Sequence, residues 1–97
     1  MQELICQAIR ERRLIEVSCK GYARQLEPYL VYESKNRAVV LHSWQVGGQW
    51  DKTPPPDWCN LRVDDIENVE LLDSHYVEPH AGYNPFSGQF HLVLRQA

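Results

Sequence analysis

Residues 24–45, RQLEPYLVYESKNRAVVLHSWQ, contain two stretches with the apolar and aromatic character of β-strands, separated by a turn sequence. Leu26, Leu30 and Tyr32 alternate onto one face of the first stretch, residues 24–33, and the second, residues 37–45, has high strand propensity. Ser34-Lys35-Asn36 between them is typical of a turn. Because Pro28 has no amide hydrogen to donate, the first strand should be bent or lie at a sheet edge there.

The segments on either side complete one domain. Apolar residues at helical spacing predict an amphipathic helix over about residues 2–13. Further strands are predicted at 14–19, 58–63 and 67–72, with a short last strand at 90–94 in an otherwise irregular tail from about residue 74 to 97. One helix followed by five short, regularly spaced strands predicts a mainly β fold, a small and strongly bent β-barrel over about residues 14–73.

Composition and charge narrow the class of function. The chain has 97 residues, 43% hydrophobic and 24% charged, which is typical of one globular domain. Its net charge of −3 argues against a general nucleic-acid-coating protein. Residues 64–78 carry six acidic residues and no lysine or arginine, so an anionic ligand should meet the first two thirds of the fold.

Targeting and cofactor signals are weak. No apolar run approaches the roughly 20 residues of a membrane span, and no signal peptide is recognisable, so we expect a cytoplasmic protein with no membrane partner. Cys6, Cys19 and Cys59 form no CxxC pair and are expected to be buried, reduced thiols. His75 and His80 lie in the irregular tail, where nothing fixes two metal ligands together. We predict no metal, no cofactor and no enzymatic activity, since no catalytic motif is present.

Several segments, in this order, resemble the WYL domain family. They are AIRERR at 8–13, RQLEPYLVY at 24–32, LHSWQVGGQW at 41–50, LRVDDIENVELLD at 61–73, and Pro79 with Tyr83-Asn84-Pro85 in the tail. The chain departs from the family pattern at two places. Ala38-Val39-Val40 stands where the naming triplet is expected, and Asp65 replaces the second arginine of the later motif.

The resemblance implies a fold and a function. The implied fold is a small five-stranded Sm-like β-barrel preceded by one helix. The implied function is transcription regulation by ligand sensing, usually by a domain attached to a DNA-binding helix-turn-helix. Family members are associated with nucleotide or single-stranded nucleic-acid ligands. Only about 13 residues precede the barrel here, so we expect a stand-alone sensor or a domain separated from its effector.

Strand alternation and the resemblance together suggest a ligand-binding face. If Leu41 and its alternate neighbours face the core, His42 and Trp44 face the other side, and Arg62 likewise points away from the core. Arg24 and Tyr29 match the family's second-strand motif and should lie nearby. Guanidinium groups bind phosphate and aromatic rings stack on bases, so the predicted site is Arg24, Tyr29, His42, Trp44 and Arg62.

Two classes of function remain open at this point. The first is a module that binds a nucleotide or short single-stranded nucleic acid and relays occupancy to a regulatory protein partner. The second is a protein-interaction or oligomerisation domain without a nucleic-acid ligand. Three Trp and five Tyr are many for one small core, which predicts a homodimer. The Trp50/Trp58 loop and the Tyr83–Phe86 segment are the candidate contacts.

Overall fold

The computed structural model describes all 97 residues and contains one N-terminal helix, α1 (Gln2–Glu11), followed by six strands. The strands are β1 (Arg13–Cys19), β2 (Tyr22–Glu33), β3 (Val39–Gly48), β4 (Asp57–Arg62), β5 (Ile66–His75) and β6 (Leu92–Gln96). A single 3-10 turn, Val63–Asp65, connects β4 to β5. Just over half of the residues lie in strands, so the predicted mainly β class is confirmed. No helix combines the length and the hydropathy that a membrane span requires.

Helix α1 ends earlier than the sequence predicts. Arg12 adopts the left-handed conformation with φ 54°, and its amide donates to the carbonyls of Ala8 and Ile9. This reversal ends the helix at Glu11 and starts β1 at Arg13. The helix buries Ile5, Ala8 and Ile9, as its apolar spacing predicts.

Strand β2 is the centre of the antiparallel sheet, whose order is β4-β3-β2-β1-β5 with β6 added to β2. One edge of β2 pairs with β3 along its length, while the other edge pairs first with β1, up to Leu26, and then with β6, from Leu30 onward. Pro28 lies in the gap between those two partners, beside a register shift. The strand is therefore irregular at Pro28 as predicted, but it is not an edge strand.

The sheet is strongly curled, although it does not close. Its outer strands, β4 and β5, are joined only by residues 63–65. In a flat sheet four spacings of about 4.8 Å would separate them by about 19 Å. The link from Arg62 to Ile66 reaches only about 14 Å when fully extended. The curl follows from that difference, but no pairing joins β4 to β5. The sheet is open and has six strands, so the predicted five-stranded barrel is not confirmed.

Two apolar clusters lie on the two faces of the curled sheet. The first combines the buried face of α1 with strand residues such as Ile15, Leu26 and Leu41. The second contains Tyr29 and Leu30 of β2 together with aromatic residues of the segment after β5. Leu26 and Leu30 therefore do not share a face as alternation predicts, because the register shifts between Pro28 and Leu30. The tail was predicted to be mostly irregular, and residues 76–90 indeed form no helix or strand, but they fold back onto the sheet. The last strand pairs at Leu92–Gln96 instead of 90–94.

Gly48 should tolerate alanine less well than Gly21, although both have positive φ, 91° and 84°. A Cβ at Gly48 would lie 2.5 Å from the Ala23 carbonyl oxygen, whereas no atom lies within 4 Å at Gly21. Left-handed strain of about 1–2 kcal/mol applies at both positions, and the backbone clash adds to it only at Gly48. We expect Gly48→Ala to lower the free energy of unfolding by about 2–4 kcal/mol and Gly21→Ala by about 1 kcal/mol in urea titrations. Equal losses would contradict this assignment.

Candidate functional site

Two cavities adjoin β4 and share Trp58 and Asn60 in their walls. The first, the arginine cavity, has a volume of about 410 Å³ and contains Arg24 and Arg62. The second, the tail cavity, has a volume of about 320 Å³ and lies between the sheet and residues 82–90. Both fall at the lower end of the range of about 300–1,000 Å³ that small-molecule sites occupy.

The arginine cavity lies where the curled sheet fails to close. Strand β4 forms one wall, and Cys19, Lys20 and Asp65 form part of the opposite wall. Because β4 pairs only with β3, its other edge is free of strand neighbours. The short link at residues 63–65 brings the two sheet edges close without joining them. The open seam is therefore a direct product of the strand order.

Arg24 is held in place deep in this cavity. Its side chain is only 13% exposed. Nη1 donates to Gln45 Oε1 at 3.1 Å, and Nη2 lies 3.8 Å from a carboxylate oxygen of Asp51. Gln45 is oriented by its own amide, which donates to the carbonyls of Gly47 and Gln49. Nε of Arg24 is buried and has no hydrogen-bond partner. One donor of the guanidinium is thus left unsatisfied.

The charge of the arginine cavity differs in sign from that of the chain. Lys20 pairs with Asp65 at 3.5 Å, and Arg24 pairs with Asp51, but Arg62 makes no ion pair. Basic side chains outnumber acidic ones in the lining, four to three: Lys20, Arg24, Lys52 and Arg62 against Asp51, Asp57 and Asp65. Two unpaired cations, Arg62 and Lys52, and the partly satisfied Arg24 therefore line the same cavity.

Two thiols also line the arginine cavity. Burial raises the pKa of the Cys59 thiol, and burial together with the Asp65 carboxylate raises the pKa of the Cys19 thiol. Both shifts hold the sulfur in its protonated form at neutral pH, and a thiol is a far weaker nucleophile than a thiolate. Cys19 and Cys59 are buried as predicted, whereas Cys6 is only half-buried.

The C-terminal tail covers three of the predicted site residues. Tyr29 is fully buried and His42 is 6% exposed, so neither lies on an open face as the alternation argument expected. Trp44 is half-buried and its ring stacks on that of His80, with centroids 3.8 Å apart. The physical reason is that a face bearing so many aromatic rings is more stable when apolar tail residues cover it.

Tyr29 fastens this tail to the sheet. Its hydroxyl accepts a hydrogen bond from the His80 amide at 2.7 Å and donates to the Glu27 carboxylate. Its ring lies edge-on to those of Trp58 and Tyr76. Burial, reinforced by Glu27, raises the pKa of Tyr29 far above that of an exposed tyrosine, so the hydroxyl keeps its proton. Tyr29 therefore has a structural contact to the tail and no accessible face for stacking.

His42 occupies the boundary between the sheet and the tail cavity. Its ring stacks on Trp58 with centroids 4.9 Å apart, and Phe90 lies at the same distance in a tilted arrangement. Nδ1 lies 2.8 Å from Asn60 Oδ1. Burial lowers the pKa of His42, which keeps the imidazole neutral at pH 7.

The five predicted site residues are thus divided among three places. Arg24 and Arg62 line the arginine cavity, His42 lines the tail cavity, and Tyr29 and Trp44 line neither. Sequence reasoning missed Trp58 and Asn60, although the alternation that turns Arg62 outward also turns them outward. The tail side chains that line the second cavity carried no such signal, because an irregular segment has no periodicity to read.

Comparison of the chain with protein-family models, with curated proteins and with solved structures finds no match in any of the three.

Tyr29→Phe should loosen the tail, because it removes the acceptor of the His80 amide and the donor to Glu27. We expect a loss of about 1–3 kcal/mol in the free energy of unfolding, with faster amide hydrogen exchange in residues 76–83. Tyr32→Phe is the matched control, since Tyr32 is similarly buried but its hydroxyl makes no hydrogen bond. A tail that exchanges equally fast in both variants would contradict this role of Tyr29.

Proposed function

We propose that the chain is a regulatory ligand-sensing module of the WYL type, in which the open curled sheet is a variant of the Sm-like barrel. The proposed ligand is a nucleotide or a short single-stranded nucleic acid, whose phosphate binds in the arginine cavity. The proposed action is binding, with occupancy relayed to a regulatory protein partner.

The observation that carries this proposal is the unsatisfied Nε of Arg24. Buried donors without a partner are rare in folded proteins, and because Arg24 lines the arginine cavity, a ligand that reaches this side chain would supply the missing acceptor. Phosphate oxygens accept from two guanidinium nitrogens at once, and Nε is one of the nitrogens that such a pair uses. Of the terminal nitrogens, Nη1 already donates to Gln45, and Nη2 lies 3.8 Å from Asp51.

Arg62 supports the same ligand class. It shares the cavity with Arg24 and has no carboxylate partner, so an anion would not have to displace one. Tyr22 and Trp58 are the aromatic rings in this lining, and they replace Tyr29 and Trp44 as the candidates for stacking. Tyr22 already lies 5.5 Å from the Arg24 guanidinium carbon. A cation beside an aromatic ring suits a phosphate attached to a base.

Trp58 offers a path for the relay. Its ring lines the arginine cavity and also packs against His42, Trp44 and Tyr29 beneath the tail. A ligand that moves Trp58 would disturb the packing of the tail against the sheet. The tail exposes Phe86 to 89%, a side chain available to a protein partner.

Arg62→Ala should weaken binding of a 5′-phosphorylated oligonucleotide by about 1.5–3 kcal/mol, the value typical of a hydrogen bond to a charged group. Stability should change by under about 1 kcal/mol, because Arg62 is exposed and unpaired. Intrinsic tryptophan fluorescence would report binding through Trp58. The log–log dependence on salt should have a slope of about −1 to −3, since few phosphates are engaged. Arg10→Ala, on the exposed side of α1, is the control, and equal affinity of wild type and Arg62→Ala in low salt would contradict the proposal.

A second candidate function is self-association, which the exposure of β6 favours. Strand β6 pairs only with β2, and its Leu92 and Leu94 side chains are largely exposed. An apolar edge strand is a template for pairing with a second copy. Of the Tyr83–Phe86 segment, which the sequence predicts as a dimer contact, Phe86 is exposed and available for such a contact. Tyr83 is half-buried within the chain.

If β6 forms a dimer contact, the wild type should sediment as a dimer at tens of micromolar and Leu94→Lys as a monomer. Val46→Lys is the control, since Val46 is also an exposed apolar strand residue but lies on β3. A wild type that sediments only as a monomer would contradict the predicted homodimer.

A further inference from the structure

We propose that the tail cavity is a base-binding site, in which His42 and Asn60 bind polar atoms of a nucleobase. The inference rests on the proposed function, because it assigns the second half of the same nucleotide. It assigns recognition of the base to His42, which lines only the tail cavity, and to Asn60, which lies in the wall that the two cavities share.

The chemistry of the lining favours a neutral, planar group. Polar residues of the tail cavity are all uncharged: His42, Asn60, Asn84, Ser87 and Gln89. Trp58 and Phe90 supply the aromatic part of the wall. A phosphate would find no cation here, whereas a base finds hydrogen-bonding groups and rings. The two cavities therefore differ in chemistry as the two ends of a nucleotide do.

His42 provides the most specific evidence. Although the residue is 6% exposed, its Nε2 makes no hydrogen bond and is not fully enclosed, so this nitrogen opens into the cavity that the residue lines. The ring is fixed by Trp58, Phe90 and the bond from Nδ1 to Asn60. A buried imidazole held in one orientation with one free nitrogen is an organised binding group.

Asn60 supplies a second hydrogen-bonding group to the tail cavity. With Oδ1 facing His42, Nδ1 carries the proton and donates, which leaves Nε2 as an acceptor and the Asn60 Nδ2 as a donor without a partner in the chain. Reversing the amide exchanges the two roles and still leaves one free donor and one free acceptor. Because the two imidazole nitrogens point in diverging directions, His42 Nε2 and the Asn60 amide would bind different polar atoms of a base, and bases carry both donors and acceptors.

The shared wall joins the two cavities into one site. Trp58 and Asn60 line both, and they alternate with Arg62 along the same face of β4. A nucleotide can therefore place its phosphate near Arg62 and its base against Asn60 and His42. Trp58 lies between the two cavities and contacts either part of the ligand.

The test uses the full chain at pH 7.5 with three kinds of probe: the four ribonucleoside 5′-monophosphates, their nucleosides, and ribose 5-phosphate, which has no base. Binding is measured by titration calorimetry and tryptophan fluorescence. His42→Phe keeps the ring but removes both nitrogens, and Asn60→Leu removes the amide at an exposed position. His91→Phe and Asn68→Leu are the matched controls, since both residues are exposed and line neither cavity.

We expect at least one monophosphate to bind about tenfold more tightly than ribose 5-phosphate. His42→Phe and Asn60→Leu should each weaken that monophosphate by about five- to tenfold, the effect of one hydrogen bond, and leave ribose 5-phosphate unchanged. The controls should match the wild type. If circular dichroism shows that His42→Phe does not fold, the binding measured for Asn60→Leu alone tests the base site.

The outcomes separate this inference from the proposed function. If ribose 5-phosphate binds as tightly as every monophosphate and only Arg62→Ala weakens binding, the base site is overturned and the phosphate site is supported. Nucleosides that bind and respond to Asn60→Leu, without any effect of Arg62→Ala, support the base site and overturn the phosphate site. Absence of binding by every probe overturns both.

Discussion

The split pairing along one edge of β2 is the constraint on which the rest of the structure depends. Strand β1 leaves this edge before Pro28 and β6 joins it afterwards, so Pro28 needs no amide hydrogen. The Pro28 carbonyl accepts a hydrogen bond from the Tyr76 hydroxyl at 2.6 Å, which fixes the start of the tail in the same gap. A single irregular position in β2 thereby directs both the return of the chain and the aromatic cluster on the outer face.

The arginine cavity, which encloses Arg24, exists because the sheet does not close. In a closed barrel the two outer strands would pair, and the space lined by Cys19, Lys20 and β4 would be filled by backbone hydrogen bonds. Here that space remains open, and Arg24 extends into it from the start of β2. The acidic stretch after residue 63 lies outside the cavity apart from Asp65, so a chain of net negative charge still offers an anion a locally basic site.

The elements of the fold were predictable to within a few residues because each leaves a periodic signal. The apolar spacing of α1, the turn at Ser34–Asn36 and the strand residues of β3 all depend on local sequence. The open seam and the position of the tail were not predictable, since they depend on pairings between distant segments. Periodicity also cannot show whether the outward face of a strand meets solvent or another part of the chain.

The difference between local periodicity and contacts of distant segments also explains where the predicted site residues lie. Alternation turned Arg62 away from Leu61 and Val63, whereas Arg24 was selected through its match to the family motif, and both line the arginine cavity. His42 and Trp44 also point away from that core, but an aromatic second layer covers them. Trp58 and Asn60 have the same parity as Arg62 and were overlooked, since neither carries the charge that drew attention to a phosphate ligand.

The two connections that flank β4 differ in how well they tolerate changes in length. Residues 49–56 join β3 to its hairpin partner, so insertions there lengthen a surface loop at little cost. Residues 63–65 hold the outermost strands together, and each added residue would let the sheet flatten and widen the seam. Divergent chains with this architecture should therefore vary in length before β4 and keep a constant spacing after it. Gap placement in an alignment could recognise this fold where residue identity no longer does.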